Sequence, residues 1–331
     1  MSGPPTHGGR LLLARRRFPG APEPFLDLST GINPHAYALP ALPDAAFTRL
    51  PEPEEIATLE ATAAHAYGLA DPAMAVAAPG TQALIQLLPR LFPQPEVAVV
   101  GPTYAEHAQA WRLAGARVRA VGSPDDLAGA PAGVLCNPNN PDGRRWPAEA
   151  LRQAARPPLL VVDEAFVDLE PDGARLSLAP LLPLPGVIVL RSFGKTFGLA
   201  GLRLGFALAA PPQAAAIRAA LGPWAVSGPA VAAGRLALAD DAWLAAARRS
   251  LAQEAAALDG VLAAAGLTPA GGTALFRGAT CPDAPLLADR LGQAGILVRS
   301  FPDQPDRLRF GIPGSPEAWS RLRAALGHVR Q

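Results

Sequence analysis

From about residue 53 to residue 209 the chain alternates between two textures. Stretches with apolar residues at helical spacing are followed by short, continuous apolar runs of four or five residues. The first kind predicts amphipathic helices at Pro53–Tyr67, Thr81–Leu91, Tyr104–Leu113 and Pro147–Ala155. Gly68 and Gly115 end the first and third, and Pro79-Gly80 precedes the second. The second kind predicts strands at Glu96–Val100, Arg117–Val121, Gly133–Cys136, Leu159–Asp163, Gly186–Leu190 and Arg203–Leu208. Runs that are apolar without alternation are what strands covered on both faces require. The order therefore predicts an α/β unit built on a mostly parallel sheet. Beyond Pro211-Pro212 the texture changes. Long helices are expected at Pro229–Ala239 and Asp240–Leu262, then a strand near Ala274–Arg277 and a helix near Ala284–Ala294. Strands at Ile296–Arg299 and Leu308–Ile312 and a last helix from Pro316 complete a smaller α+β unit. Pro19–Pro24 and Pro180–Pro185 read as extended connectors.

Composition narrows the class. The 331 residues carry a net charge of +1, with 50% hydrophobic residues, 32 glycines and 38 prolines. Glycine and proline together stay below the fraction that marks a low-complexity disordered chain. A nearly neutral chain lacks the electrostatic footprint of a nucleic-acid binder. Cys136 and Cys281 are too few for a disulfide framework or a cysteine zinc site, so no metal is expected. The N-terminal Leu11-Leu12-Leu13 run precedes Arg15-Arg16-Arg17, the reverse of a secretory signal, and no apolar stretch is long enough to span a membrane. The reading is a cytoplasmic protein that self-associates.

The chemistry lies in the residues that follow the strands, because ligands of open α/β sheets collect at the strands' carboxyl ends. These are Tyr104, the Asn137–Gly143 cluster, Asp163, and the Ser192–Lys195 turn. Lys195 is the sole lysine of a chain rich in arginine. A cation needed only for its charge could have been arginine; an amine that must lose a proton and form a covalent bond could not. An electron-sink cofactor such as pyridoxal phosphate (PLP) also needs a carboxylate for its pyridine nitrogen, which Asp163 supplies. Its phosphate needs a helix start, hydroxyls and a cation. Gly80-Thr81-Gln82 offers the first, Ser192 and Arg203 the others, and Tyr104 offers a ring to stack on the cofactor.

Asn137-Pro138-Asn139-Asn140-Pro141-Asp142-Gly143, Asp163-Glu164-Ala165-Phe166, Ser192-x-x-Lys195 and Gly198-Leu199-Ala200-Gly201-Leu202-Arg203-x-Gly205 together resemble the motifs of fold-type-I PLP enzymes, the aspartate-aminotransferase superfamily. The resemblance covers nearly the whole chain, with Asp142 where the family usually has threonine. It implies that Lys195 carries the cofactor, that Asp163 pairs with its ring nitrogen and that Asn140 meets its phenolic oxygen. Ser192 and Arg203 would hold its phosphate and Arg309 the substrate α-carboxylate. It further implies a homodimer. The implied domains are an N-terminal segment, residues 1–40, reaching the substrate site and the small domain; a large PLP-binding domain, 41–212; and a small C-terminal domain, 213–331.

Within the superfamily the chain is similar both to histidinol-phosphate aminotransferases and to the L-threonine-O-3-phosphate decarboxylases of cobalamin biosynthesis. Both groups take a phosphorylated amino compound, so Arg299 is expected at the substrate phosphate. Three features favour the decarboxylases. His7-Gly8-Gly9 is similar to their phosphate-covering H-G-G, and Ser29-Thr30-Gly31-Ile32-Asn33-Pro34 to their S-x-x-I-N-P. Phe166 stands where the aminotransferases have tyrosine. Gly8, Gly9, Asn33 and Asn140 thereby join Arg299 and Arg309 as expected substrate-site residues. One departure is Leu50, where relatives usually place a tyrosine that reaches the neighbouring subunit's cofactor phosphate. Ligand-sensing parts of transcription regulators share the fold, but this chain has no length or basic helix-turn-helix to spare for a DNA-binding domain.

Overall fold

The computed structural model describes residues 7–153 and 157–327. Along the chain the elements are α1 (Leu11–Arg17), β1 (Leu26–Leu28), α2 (Ala45–Thr48), α3 (Pro53–Ala66), β2 (Ala75–Ala78), α4 (Thr81–Leu91), β3 (Glu96–Val100), α5 (Ala105–Leu113), β4 (Arg117–Val121), β5 (Ala132–Cys136), α6 (Ala148–Gln153), β6 (Leu159–Asp163), α7 (Gly173–Leu176), β7 (Val187–Arg191), α8 (Phe193–Thr196) and β8 (Gly205–Ala209). The second half continues with α9 (Pro211–Leu221), α10 (Gly228–Leu238), α11 (Asp241–Ala264), β9 (Thr268–Thr273), β10 (Phe276–Thr280), α12 (Ala284–Gln293), β11 (Ile296–Phe301), β12 (Gln304–Gly311) and α13 (Pro316–Gly327). The helix expected over Pro147–Ala155 is present as α6; its last two expected residues lie outside the described part.

A seven-stranded sheet runs in the order β2-β8-β7-β6-β5-β3-β4. Strands β7, β6, β5, β3 and β4 are parallel neighbours; β8 is antiparallel to β7 and to β2. The apolar runs are continuous because alternate residues enter different cores. Leu135, Val162, Val189 and Phe206 pack on one face, and Val134, Val161, Ile188 and Ala207 on the other. The covering helices are cut by local chemistry. Pro53 opens α3 behind a Glu52–Glu55 capping box.

A five-stranded sheet, β1-β11-β12-β10-β9, forms the smaller unit, packed on α11, α12 and α13 around Leu251, Leu258, Phe276, Phe310 and Leu322. The strand expected near Ala274–Arg277 is instead the turn and second arm of a β9–β10 hairpin. Strand β1, from the N-terminal segment, pairs in parallel with β11, Leu26 opposite Ile296. The large unit also extends past residue 212: α9 packs on β2 and β8, and Ala230, Val231 and Ala237 of α10 belong to the large core. On this packing we propose a domain boundary near residue 239.

Candidate active site

Strands β5, β6 and β7 end side by side, with Cys136 opposite Asp163 and Asp163 opposite Leu190. That register carries Asp163 and the Lys195 turn to one edge of the sheet. Asp163 is buried. Its Oδ1 accepts the Ala165 N–H at 3.0 Å, and its Oδ2 lies 2.9 Å from His107 Nε2, the donor of that bond. Burial works against its charge, but His107 and then Lys195 hold its pKa below the usual aspartate value. His107 is buried too. Burial disfavours its cation, yet Cys136 and Asp163 outweigh that and raise its pKa to about 10. Donor atoms of His107, Cys136 and Asp163 all lie within 4.8 Å, though the facing atoms of His107 and Asp163 are already bonded to each other.

Lys195 sits on α8, a single turn opened by Ser192. Desolvation lowers the pKa of its ammonium; Asp163 and Cys136 oppose this, and Arg309 and Arg203 add to it. The amine lies 5.0 Å from the Phe166 ring centroid. The turn is held from behind by Asn33, whose N–H donates to the Lys195 carbonyl (3.0 Å) and whose Nδ2 donates to the Thr196 carbonyl (2.9 Å). Asn33 Oδ1 accepts from the His35 N–H. The side chain of this expected substrate residue is thus spent on the lysine turn.

Gly80 and Arg203 form the phosphate-type cradle. Gly80 has φ of 82° as the N-cap of α4, and a Cβ there would come within 2.8 Å of Arg203 Nη2. The positive φ favours glycine there, and its bare Cα lets the guanidinium lie against the α4 N-terminus, where Thr81 is buried. Arg203 itself is left-handed at φ 55°. Ser192 is buried on the adjoining turn. Tyr104 Oη donates to Gln82 Oε1 at 3.0 Å, and burial pushes its phenol up to about 12.

On the other side, β11 and β12 set Arg299 directly opposite Arg309. Arg309 is buried. Its Nη1 donates to Asn140 Oδ1 (2.5 Å), its Nη2 to the Ser29 carbonyl (2.9 Å), and it stacks 4.7 Å from the Phe276 centroid. Its Nε has no partner among the described residues. Burial first, and Arg299 second, lower its pKa to about 9. Arg299 is lowered as well, by desolvation. The bond to Arg309 leaves the Asn140 amide nitrogen as its outward donor. His7, Gly8, Ser29 and Arg299 line one cavity of about 430 Å³, which does not include Lys195 or Asp163. Gly9 N–H donates to Ser29 Oγ at 2.8 Å.

Sequence reasoning missed His107, although it lies three residues after Tyr104 and so on the same helical face. It also missed Ser29 as a link between Gly9 and Arg309. Asp142, where the family usually has threonine, accepts from Asn139 Nδ2 (2.7 Å) and pairs with Arg144 (2.8 Å), which donates to the Gly101 and Gly122 carbonyls.

A doubly covered sheet carrying a desolvated lysine, a His-backed aspartate and a glycine-arginine cradle at its strand ends defines a class: the chain belongs to the aminotransferase class I and II family, whose profile matches residues 24–326. More particularly, it is 46% identical over 328 residues to a threonine-phosphate decarboxylase of Pseudomonas aeruginosa, covering 97% of this chain and 96% of that protein. It is 45% identical over 337 residues to one from a Sinorhizobium species, covering 99% of each. A histidinol-phosphate aminotransferase of Symbiobacterium thermophilum is 35% identical over 75% of each chain. Among solved structures, the histidinol-phosphate aminotransferase of Sinorhizobium meliloti in complex with pyridoxal-5'-phosphate superposes with a TM-score of 0.78 at 27% identity, covering 96% of this chain and 94% of that one.

Proposed function

We propose that the protein is a PLP-dependent carboxy-lyase that converts L-threonine O-3-phosphate to (R)-1-amino-2-propanol O-2-phosphate, a step of cobalamin biosynthesis. The observation that carries the substrate class is the cross-strand pair Arg299–Arg309 with its unpartnered Arg309 Nε. Leaving a buried donor unpaired costs about 1–3 kcal/mol, and two adjacent guanidiniums repel; an anionic ligand offsets both. A substrate with a carboxylate and a phosphate brings two such anions. The similarity over nearly full length to two threonine-phosphate decarboxylases supports the same choice.

The residues fit PLP. The Gly80 cradle, which a Cβ would fill, places the α4 N-terminus beside Arg203 and suits a phosphate; Ser192 adds a hydroxyl. Lys195 is the desolvated amine that a covalent bond to an aldehyde requires. PLP bound here supplies that aldehyde and a ring that takes up the electron pair of the bond broken at Cα. Asp163, kept ionised by His107, holds the proton on the ring nitrogen. Asn140 donates from its amide nitrogen to the phenolic oxygen, and Tyr104 walls the ring.

Arg309 binds the substrate carboxylate through Nε, and Arg299 with the Gly8-Gly9 backbone binds the phosphate. Fixing both ends sets the rotation about Cα, so that the Cα–carboxylate bond is the one aligned for cleavage. Lys195, the one amine at these strand ends, would deliver the proton to Cα. We further propose a cytoplasmic homodimer. Exposed Phe47 (66%) and Leu50 (62%), on and beside α2, provide apolar surface for a second copy.

The test is product analysis with L-threonine phosphate as the sole amino compound. Release of CO₂ and an amino-propanol phosphate without any 2-oxo acid is the expected result. Glutamate formation from histidinol phosphate and 2-oxoglutarate, without CO₂ release, would replace this reading with the aminotransferase one.

A further inference from the structure

One buried carboxylate beside the site has no task in the chemistry above. Glu106 lies in the first turn of α5 and is largely buried. Its Oε1 is 2.8 Å from His7 Nε2, and its Oε2 accepts from Gln82 Nε2 (2.9 Å) and Gln86 Nε2 (3.4 Å). An ionised carboxylate can only accept, so His7 donates with its Nε2 protonated. Gln82 in turn accepts from Tyr104, whose ring lies 5.8 Å from that of His7. A single side chain thus joins the start of α4, the aromatic wall, and a residue 99 positions earlier in the chain.

The segment that carries His7 has few other ties, since α1 begins only at Leu11. Its second anchor is on the small domain. Gly9 N–H donates to Ser29 Oγ, Ser29 Oγ donates to Asp27 Oδ1 (2.5 Å), and the Ser29 carbonyl receives Arg309. Gly8 lies so close to that carbonyl that a Cβ would come within 2.3 Å of it. The three residues therefore run from Glu106 at one end to Ser29 at the other, and His7 and Gly8 line the cavity wall shared with Arg299. A buried carboxylate near an expected phosphate would repel it. Here both oxygens of that carboxylate face hydrogen-bond donors: Oε1 meets His7, and Oε2 meets Gln82 and Gln86 of α4.

We propose that Glu106 is a positioning residue for recognition of the substrate's phosphate end: it fixes His7 and, through it, the Gly8-Gly9 backbone over Arg299, without touching the substrate. This rests on the phosphate reading given under Proposed function. The test uses holoenzyme carrying Glu106→Gln, which keeps size and shape, His7→Ala, and the pair. Two quantities are measured: kcat and KM for L-threonine phosphate, and the rate of trypsin cleavage after Arg10, followed by mass spectrometry. For Glu106→Gln we expect KM to rise about tenfold with kcat within about twofold, unchanged cofactor absorbance, and faster cleavage. The double variant should cost no more than His7→Ala alone, because both remove one link. An unchanged KM and cleavage rate in Glu106→Gln, or fully additive effects, overturns the proposal. Should Glu106→Gln fold poorly, His7→Ala must by itself raise KM and speed cleavage, and failure there is equally decisive. If wild-type enzyme does not turn over L-threonine phosphate, the functional reading fails, while the cleavage rates and their non-additivity still judge the latch.

Discussion

Both oxygens of Asp163 meet a protein partner; among the described residues, the buried Nε of Arg309 meets none. The aspartate side is built from neighbouring strand ends and the helix that follows β3. Its His107–Asp163 bond is complete without ligand, and the pKa values of both groups are moved toward the charged pair. The arginine side is built from the N-terminal segment and two small-domain strands. It keeps two cations adjacent and desolvated, and the lowered pKa of Arg309 records the cost. The first arrangement is preorganised for a cofactor that stays. On the function proposed here, the second holds back part of its binding capacity for a molecule that must come, be gripped and leave. In the second region, substitutions should act through substrate affinity, and in the first through the chemical step.

The strongest way to break this contrast is Lys195→Ala. Turnover should fall by about 10⁴-fold or more, and the visible absorbance of PLP-loaded protein should be lost. Arg309→Ala probes the other side. We expect KM for L-threonine phosphate to rise about 100-fold, with only a small change in the cofactor spectrum from the loss of the Arg309 bond that orients Asn140. A large spectral change with little change in KM would mean that the two regions are not separable. His107→Phe sharpens the comparison through pH. The folded-state pKa of His107 is raised from 6.5 to about 10, so its contribution to stability is fully present below 6.5 and is lost as pH rises through about 10. Thermal melts of wild-type apoprotein should therefore decline more steeply between pH 6.5 and 10 than those of the variant. Asp163 has the opposite sign. Its depressed pKa protects at neutral pH and the protection is lost in acid, so the acid limb of activity should move to higher pH in His107→Phe. The smallest effect is expected for Asp142→Thr. It removes a half-exposed ion pair with Arg144, and denaturant unfolding should show a loss of about 0.5 kcal/mol.

Much of the large domain could be read from the chain because its strands are buried on both faces and announce themselves as unbroken apolar runs. Lys195 and Asp163 were readable for a chemical reason, as the one amine and a carboxylate ending such a run. Strands β1 and β2 were not, because three or four residues carry no periodicity, and β2 is largely alanine. The β9–β10 hairpin was misread because Gly271 and Gly272 interrupt the first arm. His107 escaped notice since a buried polar residue on an amphipathic helix has no signature until its partner is known. Asn33 marked the correct neighbourhood, but only three dimensions reveal that it holds the lysine turn rather than facing the substrate side. His7-Gly8-Gly9 was legible as a motif, and the contact of His7 with Glu106 was not.

Strand β1 has one more consequence. Leu26 finds its partner at Ile296, so β1 cannot be seated in its sheet until β11 has been made. A nascent chain can lay down the five parallel strands, with Lys195 and Asp163 already at their ends, well before it possesses the means to choose a substrate. On the function proposed here, the parts that choose the substrate come together later than the parts that hold the cofactor, when β1 meets β11.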